Sequence, residues 1–257
     1  MIDIHTHLLP GVDDGSPTLE HSGVVIHRMA REGVATIVCT PHLDASEASN
    51  APCDEHDQLL EALRTVSPPE MMLHSGWEIM LDRFGVDLTS PALALAGSTA
   101  RLVEFSRRGL PAGATAELLR LRKSGVVPVV AHPERYDGCT LDTLRGWREV
   151  GAVLQADAIA LIAGGPIAEL ARAMLSEGLM DILASDNHGD RRSLSTVRHW
   201  MEEIGARHQA ALLTEENPRH LLENRTLEPV APFKPDTGVF ERLKAIIFGR
   251  RSAPHEA

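Results

Sequence analysis

Four times in this chain a helical stretch ends at a glycine and a short apolar β-type run follows within a few residues. Gly33 precedes Thr36–Cys39, Gly125 precedes Val126–Ala131, Gly151 precedes Ala152–Gln155 and Gly178 precedes Asp181–Ala184. Glycine just past a helix marks a left-handed C-cap, so each repeat reads as one helix-to-strand connection. Further candidate strands are Ile2–His5, Met72–Gly76 and Arg101–Phe105. Helical patterns run over Leu19–Glu32, Glu55–Thr65, Thr115–Lys123, Asp142–Glu149 and Ile167–Glu177. Strands alternating with helices predict an α/β fold with a parallel sheet or barrel. At 257 residues the length suits one barrel domain.

Chemistry-bearing residues gather at the ends of these strands. His5-Thr6-His7 closes the first, and residues i and i+2 of a strand share a face, so both imidazoles can reach one metal ion. His42 follows the strand ending at Cys39, and Glu78 follows Met72–Gly76. Glu104 lies within Arg101–Phe105, His132 follows Val126–Ala131, and Asp186 and His188 follow Asp181–Ala184. The C-terminal strand ends of a barrel converge on one mouth, where its active site is built. Glu104, between Val103 and Phe105, is a carboxylate in a run that should be buried, and a metal is the simplest partner to keep it there. The histidines at 21, 27, 56, 74, 199, 208, 220 and 255 read as surface or core residues.

Composition narrows the chemistry. Twenty-five Lys and Arg against 36 Asp and Glu leave a net charge of −11, which disfavours binding to long nucleic acid. Three widely spaced cysteines form neither a disulfide framework nor a metal clip. No signal-type segment and no apolar run of membrane-spanning length stands out, so a cytoplasmic protein without a membrane span is expected. The domain reading is a barrel over residues 1–228, then a linker punctuated by Pro229, Pro232 and Pro235 with an amphipathic C-terminal helix (229–257). That helix reads as packing on the barrel, docking a partner or lying on a membrane surface, in falling order.

The motifs carry a resemblance. DIHTHLLPGVDDG at the start, TPH at 40–42, GWE at 76–78, EF at 104–105, AHPERY at 131–136, ASDNH at 184–188 and NPRHLL at 217–222 resemble the polymerase-and-histidinol-phosphatase (PHP) superfamily. Within it they are similar to bacterial manganese-dependent protein-tyrosine phosphatases encoded with capsule and exopolysaccharide genes. The resemblance implies a distorted TIM-like (β/α)7 barrel with three divalent metal ions, manganese as the usual occupant and iron or zinc as alternatives. It implies His5, His7, Glu78 and Asp186 on the first ion, with Glu78 bridging to a second held by Glu104 and His132. Asp14, His42 and His188 would hold the third. Arg135 would clamp phosphoryl oxygens, together with Arg191 or Arg192, between which the spacing does not choose. The implied substrate is phosphotyrosine in a protein, a bacterial tyrosine autokinase, hydrolysed by a metal-activated hydroxide. The resemblance leads one to expect a Ser/Thr-rich stretch after the sixth strand; here 155–160 is more apolar.

Four rivals compete. Cys139 and Arg145 have the spacing of a cysteine-dependent phosphatase, but the intervening residues contain no glycine and include Asp142. An amidohydrolase would often need a strand lysine to bridge its metals, and Lys123, Lys234 and Lys244 lie on no predicted strand. Within the superfamily, a histidinol-phosphate phosphatase or a nucleotide phosphoesterase is the runner-up. A binding module with an unused mouth would lack a ligand, and none is missing.

Overall fold

The computed structural model describes residues 1–234. Nine strands form in chain order: β1 (Ile2–Thr6), β2 (Thr36–Cys39), β3 (His42–Asp44), β4 (Met72–Ser75), β5 (Glu78–Met80), β6 (Ala100–Glu104), β7 (Val127–Ala131), β8 (Val153–Asp157) and β9 (Ile182–Ala184). All pairings are parallel, in the orders β1-β2-β4 and β3-β5-β6-β7-β8-β9. β2 and β3 are one strand interrupted at Thr40-Pro41, and β4 and β5 are one strand interrupted at Gly76-Trp77. The Glu78 N–H donates to Pro41 O at 3.0 Å, so pairing runs through the breaks. At the other end Thr6 bridges Asn187, the Asp186 N–H donates to His5 O (3.0 Å), and the His7 N–H donates to Asn187 O (2.8 Å). The pairings thereby return to β1, and seven parallel strands, two of them broken, make the ring of a distorted TIM-like barrel.

Helices α1 (Leu19–Arg31), α2 (Cys53–Thr65), α3 (Ala114–Lys123), α4 (Leu141–Glu149), α5 (Ala158–Ile162), α6 (Pro166–Glu177), α7 (Leu194–Glu203), α8 (Arg207–Ala211) and α9 (Asn217–Leu222) complete the fold. The five expected helices correspond to α1–α4 and α6. Hydroxyls of Thr18, Thr140 and Ser193 cap α1, α4 and α7 by accepting a backbone N–H three residues on, satisfying donors a helix start leaves free. The glycines after α1, α3, α4 and α6 all hold positive φ, between +66° and +91°, as their C-cap role requires.

Strand alternation sorts the core. Val38, Leu102, Val129, Val153 and Ile182 pack together in one cluster. Their neighbours Ile37, Val103, Val130, Leu154 and Leu183 pack in clusters that include the helices. Glu104 and Gln155 continue the inner set by the period of two, which carries a carboxylate and an amide to the strands' C-terminal ends. After α9 the chain stays against the barrel: Val230 is buried and the Phe233 N–H donates to Leu175 O at 3.1 Å. The amphipathic stretch 238–251 lies outside the described residues.

Candidate metal centre

β1 delivers the first two imidazoles. The Thr6 hydroxyl donates to Val38 O at 3.0 Å and its N–H to the Thr40 hydroxyl at 3.1 Å, which ties this strand end to β2. His5 and His7, on either side, turn their Nε2 atoms to within 3.2 Å of each other. Each Nε2 lies 3.3 Å from Glu78 Oε2 and 3.3 Å from Asp186 Oδ1. Two imidazole nitrogens and two carboxylate oxygens therefore face one point. Ligands about 2.0–2.1 Å from a shared tetrahedral centre stand roughly 3.3–3.4 Å apart, so these spacings match the donor edges of a metal site.

The other ring nitrogens are occupied in the way ligation requires. His5 Nδ1 lies 3.0 Å from Gln155 Oε1, while the Gln155 amide NH₂ donates to Ala156 O at 2.8 Å, leaving Oε1 free to accept. His7 Nδ1 lies 2.7 Å from Asp13 Oδ2. Acceptors at Nδ1 hold the proton there and direct the Nε2 lone pairs into the cluster. Gly15 lets the Asp13–Asp14 loop lie on β1, since a Cβ there would stand 2.1 Å from His7 O.

Glu78 spans two groups. Its Oε2 faces His5 and His7, while Oε1 lies 2.8 Å from His132 Nε2. Glu104 approaches His132 Nε2 at 3.8 Å and His42 Nδ1 at 3.7 Å. A third group sits toward solvent, where Asp14 Oδ1 lies 3.4 Å from His42 Nε2 and 3.3 Å from His188 Nε2. The His188 ring stacks on His7 with centroids 4.0 Å apart. His42 also reaches inward, its Nδ1 3.0 Å from Glu78 Oε2. All nine expected ligands are thus brought together, in groups of ligand atoms spaced closely enough to hold ions. His132 and Asp186 do so from left-handed backbone, at φ +32° and +49°, a cost that tends to be retained at functional sites.

The cluster's charged groups act strongly on one another. Burial opposes protonation of His5, but Glu78 and Asp186 outweigh it and raise its pKa to about 9. For His7, burial is likewise overcome, by hydrogen bonds to Asp13, Asp186 and Glu78, and the value reaches about 11. Asp186 and Glu78 stay well below the usual carboxylate range, since His5 foremost among their neighbours overcomes burial. Glu104 moves the other way: burial, then the Glu78 charge, push it up to about 7. Two buried carboxylates repelling each other beside imidazoles suit divalent cations, and no thiolate contributes, as in imidazole–carboxylate sites for Mn, Fe or Zn.

The arginines separate clearly. Arg135 pairs through Nη1 with Asp186 Oδ2 at 2.7 Å and through Nη2 with Asp157. Arg192 donates to the Asp186 carbonyl, stands 3.3 Å from Asp186 Oδ2, and is braced by Asp190 at 2.7 Å. Arg191 is exposed to solvent. Of the two arginines between which spacing does not choose, Arg192 borders the cluster and Arg191 does not. Sequence reasoning missed Asp13, Gln155 and Asp157. Asp13 was signalled by its place beside Asp14, and the other two by polar residues recurring on alternate positions of β8.

The thiol alternative finds no support. Burial, then the Glu134 charge, push the Cys139 thiol up to about 12, and Arg145 is engaged by Asp142 (2.6 Å) and Glu177 (3.1 Å).

Comparison with known proteins agrees with this geometry. Residues 1–223 match the family model described as capsular polysaccharide synthesis, CpsB/CapC. The chain is 29% identical to the tyrosine-protein phosphatase YwqE of Bacillus subtilis (strain 168), over 91% of this chain and 97% of that one. It is 32% identical to the tyrosine-protein phosphatase CpsB of Streptococcus pneumoniae, over 53% of this chain and 58% of that one. A chain from the crystal structures of the metal-dependent tyrosine phosphatases YwqE and CpsB superposes with a TM-score of 0.75 at 25% identity, covering 91% of this chain and all of that one. A β-aspartyl dipeptidase from Fervidobacterium islandicum shares the fold alone, with a TM-score of 0.53 at 14% identity, covering 91% of this chain and 76% of that one. Parallel barrel, ligand cluster and family match converge: the chain belongs to the CpsB/CapC family of capsular polysaccharide synthesis.

Proposed function

We propose that this chain is a metal-dependent protein-tyrosine phosphatase acting in the cytoplasm on a phosphotyrosine-bearing bacterial tyrosine autokinase, in control of capsule or exopolysaccharide synthesis. The observation that carries the reading is the quartet His5, His7, Glu78 and Asp186 at metal-edge spacing, with Arg135 and Arg192 both resting on Asp186. Three divalent ions, manganese as the expected occupant, would be held by that quartet, by Glu78 with Glu104 and His132, and by Asp14 with His42 and His188. Bound there, they would supply a hydroxide nucleophile at neutral pH and offset charge on the phosphoryl oxygens.

The chain's own groups do the rest. Asp13 and Gln155 hold the His7 and His5 rings in the ligating tautomer. Arg135 stays protonated, since Asp157 and Asp186 more than overcome its burial, and its planar fork can donate two hydrogen bonds to a phosphate. Arg192 adds a second fork from the same side of Asp186. The inner ligands are sealed from water, whereas the Asp14 side chain is 71% exposed and His42 39%. An open outer wall suits a phosphate carried on a protein surface.

The test is chelation followed by manganese add-back, with p-nitrophenyl phosphate, then phosphotyrosine peptide, phosphoserine and histidinol phosphate compared side by side. Manganese-restored release with preference for phosphotyrosine is expected. Preference for histidinol phosphate would move the chain to the small-ester branch, and no metal-dependent release from any of them would overturn the reading.

A further inference from the structure

Both prongs of Arg135 are already taken. Nη1 lies on Asp186 and Nη2 on Asp157, so both terminal nitrogens of the fork rest on a carboxylate that a phosphoryl oxygen would have to compete with. The two carboxylates differ in their other obligations. Asp186 also faces His5, His7 and Arg192, and in the loaded site its charge is spent on an ion. Among the described residues, Asp157 has Arg135 as its one ion-pair partner.

Asp157 is also fixed in place. Its Oδ1 accepts the Ile159 N–H at 3.0 Å, capping α5, and its own N–H donates to Glu134 Oε1 at 2.7 Å. Held at both backbone and side chain, it does not swing aside without uncapping a helix. The side chains of Arg135 and Asp157 are 14% and 8% exposed, so solvent screens the pair only weakly.

We propose that Asp157 is a positioning residue that sets the phosphate affinity of the site by competing with phosphoryl oxygens for Arg135. It holds the guanidinium aligned while the site is free of phosphate, weakens the grip on a bound phosphate by its negative charge, and so favours release of inorganic phosphate. The inference rests on the phosphatase reading above and deepens it.

Asp157→Asn removes the charge and keeps the helix cap through its one amide oxygen, while the NH₂ that replaces Oδ2 no longer accepts from Arg135 and so frees that prong. Calorimetric binding of inorganic phosphate to the manganese-loaded protein is expected to tighten on the order of tenfold, as removal of one nearby like charge predicts. KM for p-nitrophenyl phosphate should fall in parallel. In an Arg135→Ala background most of that gain should vanish, because the effect passes through the guanidinium. Phosphate affinity that is unchanged or weaker in Asp157→Asn overturns the proposal. So does a gain fully retained without Arg135, which would make the carboxylate a direct repellent. An inert wild-type enzyme would instead remove the phosphatase reading, and the binding measurement keeps the two failures apart.

Discussion

Loading the inner site should expel about two protons, and this can be measured without any turnover. In the metal-free protein the neighbouring carboxylates hold His5 at about 9 and His7 at about 11, against an ordinary value of 6.5. Both rings are therefore imidazolium at pH 7.5, with both nitrogens protonated, yet a ligating imidazole must give up the proton on its ligating nitrogen. Between pH 7 and about 9, the logarithm of manganese affinity should rise by about 2 per pH unit, or about 2.7 kcal/mol per unit. Glu104, raised to about 7, adds a further fraction of a proton near neutrality. The metal-free protein should trend oppositely. A histidine whose pKa is raised on folding contributes stability in full below 6.5 and loses it as pH climbs through the folded value. Stability of the stripped protein should hence fall from pH 6.5 toward 9 and beyond, while that of the loaded protein gains from tighter binding. Titration calorimetry in buffers of different ionisation enthalpy counts the protons, and urea unfolding of the stripped protein gives the second slope. Proton release near zero at pH 7.5, or affinity flat from pH 7 to 8, would refute the cluster's electrostatics.

Arg192→Ala should raise KM for phosphotyrosine at least tenfold, whereas Arg191→Ala should change it less than twofold; steady-state kinetics on the two variants checks the assignment made from Asp186. Cys139→Ser should leave the rate within twofold, because a thiol raised to about 12 supplies no thiolate, and abolished turnover would revive the cysteine mechanism. Gly178→Ala should destabilise more than Gly125→Ala in urea unfolding. Both glycines hold positive φ, costing about 1–2 kcal/mol for alanine. Only at Gly178 does the new Cβ also meet a carbonyl, that of Val230 at 2.6 Å.

Much of this architecture was readable because period and capping agreed. Five helices and seven of the nine strands sit within a few residues of where apolar runs and C-cap glycines put them. β3 and β5 were not foreseen, since Pro41 and Gly76-Trp77 break the apolar runs that define strands. Their pairing depends on the partner strand rather than on local pattern. α5, α7, α8 and α9 escaped for the opposite reason, being short or lying after the repeats that made the rest conspicuous. At the site, the ligands were visible because strand-end position and residue type coincided. The supporting shell left only a faint trace, polar residues beside Asp14 and on alternate positions of β8, because which ring or guanidinium each one meets is a matter of barrel closure.

Closure and chemistry are in fact the same set of contacts. The ring is completed where β1 meets the segment after β9, through the His5 carbonyl, the His7 N–H and the backbone of Asp186 and Asn187. Three of those four residues, His5, His7 and Asp186, are members of the inner quartet, and Asp186 holds a left-handed backbone there. An ion between His5, His7 and Asp186 would thus pull on the strands whose backbones join there. The same geometry explains how a chain of net charge −11 can address a phosphate dianion. Its buried carboxylates Glu78, Glu104 and Asp186 face imidazoles, guanidinium groups and candidate ion positions instead of open solvent, so the global charge governs the surface while the site answers to its own neighbours.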